Sequence, residues 1–336
     1  MQQTFSKLAL LARTLDVTGC GRALRAVGVW DGVLILNYHR VGDARHSLFD
    51  RNLWSATDAD FDQQMGLISK QFDVIGMNDL DRAHRERRGR YVMVTFDDGY
   101  RDNYENAFPI LKRHGVPATF FLTTGFIDSH QVAWWDEIAW MVRTSSHSSL
   151  MANRWTTTPF TFDDPDREVA IRRLLNVYKG VPDEETAEYL TFLAETLETG
   201  RCPTDSAHDT WMTWDMIREM KANGMTFGGH TVTHPILANQ SSSQQDWEVG
   251  ECKRRLVEEL GEPIEAFSYP VGGRSSFNAF TRAALARHGF RWGFTYISGL
   301  YAHNSTDPFA INRAAIELDV TLPLFSAITT LPQIFA

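Results

Sequence analysis

Short apolar runs alternate along the chain with longer stretches whose apolar residues recur every three or four positions. Val33-Leu34-Ile35-Leu36 reads as a buried strand. Asp60 to Phe72 reads as a helix, because Phe61, Met65, Ile68 and Phe72 fall on one face. Tyr91 to Phe96 is the next strand, Asn103 to His114 a helix stopped by Gly115, and Ala118 to Leu122 another strand. After a long interval Thr213 caps a helix that ends at Gly224. Met225 to Phe227 is a short strand, and Gln244 to Leu260 a helix closed by Gly261. Ala266 to Tyr269, Ala279 to His288 and Trp292 to Tyr296 complete the series as strand, helix and strand. Repeated strand–helix units predict an α/β fold, with a largely parallel sheet and helices outside it. A count of about seven strands favours a (β/α) barrel over an open sheet.

The rhythm breaks between residues 126 and 208. That interval holds Trp134, Trp135 and Trp140, a Ser/Thr-rich patch from Thr144 to Thr158, and a helical stretch from Pro165 to Gly200. It is expected to be a helical insertion on the barrel, since no long linker flanks it. The organisation expected is therefore an N-terminal amphipathic helical segment (1–30), a barrel (31–320) interrupted by the insertion 126–208, and a C-terminal tail (321–336).

Charge narrows the partners. The 33 Lys and Arg against 42 Asp and Glu leave a net charge of −9, which argues against nucleic acid. Lys7, Arg13, Arg22 and Arg25 against Asp16 give the first 30 residues +3, leaving −12 for the remainder. Phe5, Leu8, Leu11 and Leu15 lie at helical spacing in that basic segment. A helix packed on the barrel is one expectation, and peripheral contact with an anionic membrane is the other. No run of 18 apolar residues and no secretory signal are visible, so a cytoplasmic place, peripheral to the inner membrane at most, is expected. Cys20, Cys202 and Cys252 are few and far apart, which argues against a disulfide framework.

Three motifs carry chemistry. The strand Val92-Met93-Val94-Thr95-Phe96 runs straight into Asp97-Asp98-Gly99. Two adjacent carboxylates at a strand end raise each other's pKa unless a cation intervenes. A bound metal resolves the conflict, with one Asp ligating and the other free as a base. The second motif is Gly228-Gly229-His230-Thr231-Val232-Thr233-His234-Pro235, in which two histidines four apart can reach one metal. With Asp98 they would form a two-His-one-carboxylate set, suited to zinc and also to iron, cobalt or nickel. The third is Ser268-Tyr269-Pro270-Val271-Gly272-Gly273, a turn whose Val271 amide could face a developing oxyanion.

Taken together, TFDDG, then H-T-x-x-H, then the Y-P-x-G turn resemble the polysaccharide deacetylases, carbohydrate esterase family four with its NodB-homology domain. Leu36-Asn37-Tyr38-His39-Arg40-Val41 and Gly115-Val116-Pro117-Ala118-Thr119-Phe120-Phe121 resemble the same family. The likeness covers residues 33–125 and 210–318. It implies a distorted barrel, often seven-stranded, and metal-dependent hydrolysis of N-acetyl groups on N-acetylglucosamine-type sugars. It implies Asp97 as catalytic base, Asp98, His230 and His234 as metal ligands, and the Val271 amide at the oxyanion. Tyr269, Pro270, Trp134 and Trp135 are expected to border the substrate, the two indoles as a stacking surface or the wall of a groove.

Two departures stand out. The family's third motif often reads R-x-P-Y, and here Ser268 occupies the arginine position. Arg313, after Asp307-Pro308-Phe309, is expected to supply that charge. The late L-x-H histidine of many members is also missing. His39, His303 or Asp97 itself remain the alternatives for protonating the leaving amine. The function expected is deacetylation of a polysaccharide or glycoconjugate, such as an exopolysaccharide or its lipid-linked sugar precursor. Hydrolysis of a non-glycan amide and a catalytically inactive carbohydrate-binding role are the other readings.

Overall fold

A computed structural model describes residues 10–15, 17–21, 24, 30, 32–86, 89–162 and 167–336. Nine strands form the main sheet: β1 (Gly32–Tyr38), β2 (Asp73–Ile75), β3 (Tyr91–Phe96), β4 (Ala118–Leu122), β5 (Thr226–Gly229), β6 (Ala266–Ser268), β7 (Trp292–Phe294), β8 (Tyr301–Ala302) and β9 (Ala314–Ala315). The hydrogen-bonded order is β7-β6-β5-β4-β3-β1, with β2 on β3 and both β8 and β9 on β1. All pairings are parallel except β1 with β8. A bridge from Phe294 to Ile311 joins β7 to the chain entering β9. The sheet therefore curls back on itself as a distorted barrel, closed by a short last segment.

Burial explains the strands. β1 is buried at every position, as a strand covered on both faces must be. Its residues alternate between two cores. Leu34, Leu36 and Tyr38 pack with Val92, Val94 and the helix residues Phe61, Met65 and Ile68. Val33 and Ile35 pack with Met93, Phe121, Phe294 and Ile311. That two-residue period divides an outer, helix-covered layer from the barrel interior. Towards the carboxyl ends the inward positions turn polar: Asn37, Thr95, Asp97, Ser268 and Arg313 are all buried.

Helices cover the outside. α1 (Asp58–Gln71) begins at Thr57, whose hydroxyl accepts from the Asp60 amide. α2 (Leu80–Arg85) and α3 (Phe108–His114) follow, α3 ending on Gly115 at φ 65°. α4 (Thr124–Ser129) leads to α5 (Trp134–Thr144), α6 (Glu168–Lys179) and α7 (Asp183–Thr196), the three helices of the long interval before Thr213. They share a core of their own built on Trp135, Ile138, Ile171, Leu174, Tyr189 and Leu193. α8 (Trp214–Ala222), α9 (Ser242–Leu260) and α10 (Ala279–Arg287) separate the later strands.

Residues 321–336, read as a tail, are instead two helices, α11 (Leu322–Thr330) and α12 (Pro332–Phe335). Phe325 and Ile328 join the main core, so this segment is part of the barrel's outer layer. Of the N-terminal amphipathic stretch, Phe5 and Leu8 lie outside the described residues. Residues 10–15 are helical, and Leu11 is 44% exposed. Among the described residues no helix is long and apolar enough to cross a membrane.

Candidate metal-dependent active site

The motifs converge at the carboxyl ends of the barrel strands, where α/β barrels place their chemistry. Asp97 and Asp98 follow β3, His230 follows β5, and Tyr269 to Val271 follow β6. His39 follows β1, and Arg313 enters β9. One ligand atom from each of Asp98, His230 and His234 lies within 4.8 Å of the others, and all three residues are buried. Asp98 Oδ1 is 3.3 Å from His230 Nε2 and 3.4 Å from His234 Nε2. His230 Nδ1 is 2.8 Å from the Ser268 carbonyl, which fixes the tautomer and leaves Nε2 turned to Asp98. Burial alone would raise the Asp98 pKa, but the two imidazoles hold it well below the carboxylate range. Two nitrogens and an anionic oxygen, aimed at one point and oriented from behind, fit a divalent cation.

The backbone around the cluster is strained. Asp98, Thr231, His234 and Val271 have φ of 76°, 69°, 57° and 62°. β-Branched Thr231 and Val271 rarely adopt such angles, and each such residue costs about 1–3 kcal/mol. Glu248 of α9 holds the histidine loop in that shape. Its carboxylate accepts from the Val232 amide at 2.7 Å, the Thr233 amide at 3.0 Å and the Thr233 hydroxyl. The glycines before the loop permit the close approach. A Cβ on Gly228 would meet the Phe121 ring and the Ala266 carbonyl at 2.6 and 2.7 Å.

Asp97 has a different environment. Arg313 Nη1 and Nη2 donate to its two oxygens at 2.9 and 2.7 Å, a bidentate pair. The same guanidinium donates to Asn37 Oδ1, to the Ser268 hydroxyl and, through Nε, to the Thr295 carbonyl. Ser268 passes a hydrogen bond on to Asp97 at 3.2 Å, and Asn37 Nδ2 adds one at 3.3 Å. Burial opposes ionisation of Asp97, but the Arg313 charge outweighs it and keeps the pKa below its ordinary value. Arg313 thus occupies the place that the sequence left open at Ser268. The Asp307-Pro308-Phe309 stretch holds it there: Pro308 O accepts from Gly293 N, and Phe309 O from the Tyr269 hydroxyl.

A cavity of about 370 Å³ opens over these groups. His39, Asp97, Asp98, His230, His234, Tyr269 and Val271 line it. Among the described residues none accepts a hydrogen bond from the Val271 amide, which leaves that N–H free for a ligand. Pro270 is buried next to the cavity and is not part of its lining. Trp134 and Trp135 wall it, rather than offering open faces. Tyr178 stacks on Trp134 at 4.2 Å, and Trp135 packs edge-on against His234 at 4.3 Å.

His303 is not brought to the site. β8 pairs with the start of β1, Tyr301 lying opposite Val33, at the far end of the barrel. There His303 Nδ1 meets the His84 carbonyl at 2.6 Å. Sequence reasoning missed Asn37's role, Glu248, and the cavity residues Asp50, Asn52, Tyr296 and Glu317. Asn37 lies in the Leu36–Val41 stretch, but its contact with Asp97 had no local signal, and the others belong to no local chemical motif. Glu248 at a buried position of a helix was the one visible signal.

Residues 84–293 match the sequence profile of the polysaccharide deacetylases. The chain belongs to the polysaccharide deacetylase family. YxkH of Bacillus subtilis (strain 168) is 21% identical over 236 residues, 70% of this chain and 55% of that protein. The poly-beta-1,6-N-acetyl-D-glucosamine N-deacetylase of Staphylococcus aureus (strain MSSA476) is 30% identical over 110 residues, 29% of this chain and 38% of that protein. The chain thus spans about half, or less, of the length of these curated relatives. Among solved structures, the Streptococcus pyogenes deacetylase PplD, in complex with acetate, aligns with a TM-score of 0.57 at 21% identity. That alignment covers 91% of this chain and 98% of PplD. IcaB from Ammonifex degensii aligns with a TM-score of 0.57 at 20% identity, over 90% and 98% of the two chains. Both structures share the fold of this chain.

Proposed function

We propose that this protein is a metal-dependent N-deacetylase acting on amino sugars of the N-acetylglucosamine type within a polysaccharide or glycoconjugate. The observation that carries this is the pairing of the Asp98/His230/His234 cluster with a separate carboxylate, Asp97, on one cavity. A divalent cation, zinc by the donor set, would supply Lewis acidity and acidify water when bound. Every other step falls to the chain. Asp97, ionised by Arg313, takes a proton within the cavity. The Val271 amide donates to the oxygen of the scissile carbonyl as charge develops on it. Tyr269, Trp134 and Trp135 bound the space that admits the sugar. His39 is the cavity histidine outside the cluster and sits in ring contact with Tyr296, so it is the group offered for protonating the amine that leaves. The relatives named for N-acetyl-D-glucosamine polymers support the substrate class.

The test combines metal analysis with acetate release from N-acetylglucosamine oligomers. Roughly one metal per chain is expected, with acetate release lost in Asp97→Asn and metal lost in His230→Ala. Undiminished acetate release from either variant would overturn the assignment.

A further inference from the structure

The cavity has a wall that the chemistry above leaves unused. Arg172, Leu175, Asn176 and Lys179 of α6 all line it. They stand at i, i+3, i+4 and i+7, one stripe of the helix. The head groups of Arg172, Asn176 and Lys179 make no hydrogen bond or ion pair with another described residue. Their neighbours on the helix do. Glu168 pairs with Arg143, and Arg173 donates to Thr158 and lies over the Phe160 ring. Elsewhere on the surface, Arg218 and Arg254 each bridge two carboxylates.

The carboxylates facing the same space are already served. Asp50 accepts from the Asn52 amide and side chain at 3.1 and 2.8 Å. Glu317 accepts from the Tyr296 hydroxyl, Asp97 from Arg313, and Asp98 faces two imidazoles. Two cations therefore face the cavity without an acceptor, while each acid there has a donor. Arg172, Asn176 and Lys179 are exposed at the cavity mouth, and the charge that Lys179 meets there is that of Asp50, so an added anion would favour its charged form.

We propose that this face of α6 recognises an anionic group, a phosphoryl or a carboxylate, attached next to the acetylated sugar. The inference rests on the deacetylase reading above and narrows its substrate class. Arg172 supplies a planar fork and Lys179 a point charge, separated by ~10 Å along the helix. Asn176 between them offers an amide to hydroxyl groups. The anion has two sources: an acidic sugar within the glycan, or a diphosphate joining the sugar to a carrier.

The experiment measures acetate release by the metal-loaded full chain from three substrates: a neutral chitin tetramer, a hyaluronan tetrasaccharide bearing uronates, and UDP-N-acetylglucosamine bearing a diphosphate. At least one acidic substrate is expected to exceed the neutral one in kcat/KM by roughly tenfold or more. In the double variant Arg172→Gln/Lys179→Gln that excess disappears, chiefly through KM, and in the wild type it shrinks as salt is raised. Arg173→Gln, whose side chain is turned to Thr158, keeps the excess and serves as the control. Preference for hyaluronan assigns the anion to the glycan, and preference for the nucleotide sugar assigns it to the linkage. Acetate release that is equal on all three substrates, or an excess that survives in the double variant, overturns the proposal. Failure to release acetate from any substrate refutes the deacetylase reading itself, and this inference with it.

Discussion

Arg313 grips both oxygens of Asp97 across 216 residues of sequence, and both side chains are buried. Removing one partner of such a pair leaves the other as an unpaired buried charge, at a cost of about 3–5 kcal/mol. Arg313→Met is expected to lose about that much in denaturant unfolding. Adding Asp97→Asn to Arg313→Met should recover part of the loss, giving a non-additive double-mutant cycle. Additive losses would show that the two charges do not depend on each other.

The metal cluster should depend on a residue that ligates nothing. Glu248 holds the Val232 and Thr233 amides, and through them the loop that carries His230 and His234. Glu248→Ala is expected to weaken divalent-metal binding by roughly 10–100-fold, as loss of a supporting partner commonly does. Titration with zinc by calorimetry measures this directly. An unchanged affinity would mean that the strained loop keeps its shape unaided.

In the proposed reaction Val271 acts through its backbone N–H and not through its side chain. Val271→Gly keeps the N–H and suits φ 62° better than valine does. Val271→Pro removes the N–H and demands φ near −65°. Acetate release should fall far more in the proline variant than in the glycine variant. Equal losses in two folded variants would remove the amide from the mechanism.

Asp136 gives the protein a pH-dependent stability. Burial pushes its carboxyl up to about 7, opposed by the Arg40 charge, the Asp50 amide and the Tyr100 hydroxyl, while the Asp50 charge adds to the rise. A raised carboxyl favours folding in its neutral form. The associated stability is fully present below the ordinary value of 3.8 and is lost as pH rises through about 7. Its size is up to ~4 kcal/mol. Asp136→Asn should therefore flatten the stability curve between about pH 4 and 7 in denaturant titrations. Parallel curves for the two proteins would refute the shift.

Much of the site could be read locally, because each motif sits where a strand ends. A buried run meeting two aspartates, and two histidines flanked by glycines and a proline, carry their meaning within ten residues. Arg313 was legible by the gap at Ser268 and by the Asp307-Pro308-Phe309 stretch before it, not by any local chemistry of its own. The three-residue β2 left no periodicity to detect, and its pairing with β3 comes from tertiary packing. His303 was one of three alternatives for the proton donor, and its place could not be read locally, because β8 pairs antiparallel with β1 and takes it to the other end of the barrel. Asp136 lies in an amphipathic helix and accepts from Tyr100, 36 residues away. Buried polar partners at such separations share no local pattern, so only the folded chain brings them together.

The ring closes on the chain between Ile311 and Ala315, and that same segment brings in Arg313. Synthesis runs from the amino terminus, so a nascent chain that ends at β7 already contains Asp97 and the metal cluster. It has neither the last pairing of the barrel nor the counter-charge that makes a buried Asp97 tolerable. Ionisation of a buried Asp97 is thereby tied to completion of the fold, because its counter-charge arrives with the last pairing of the ring.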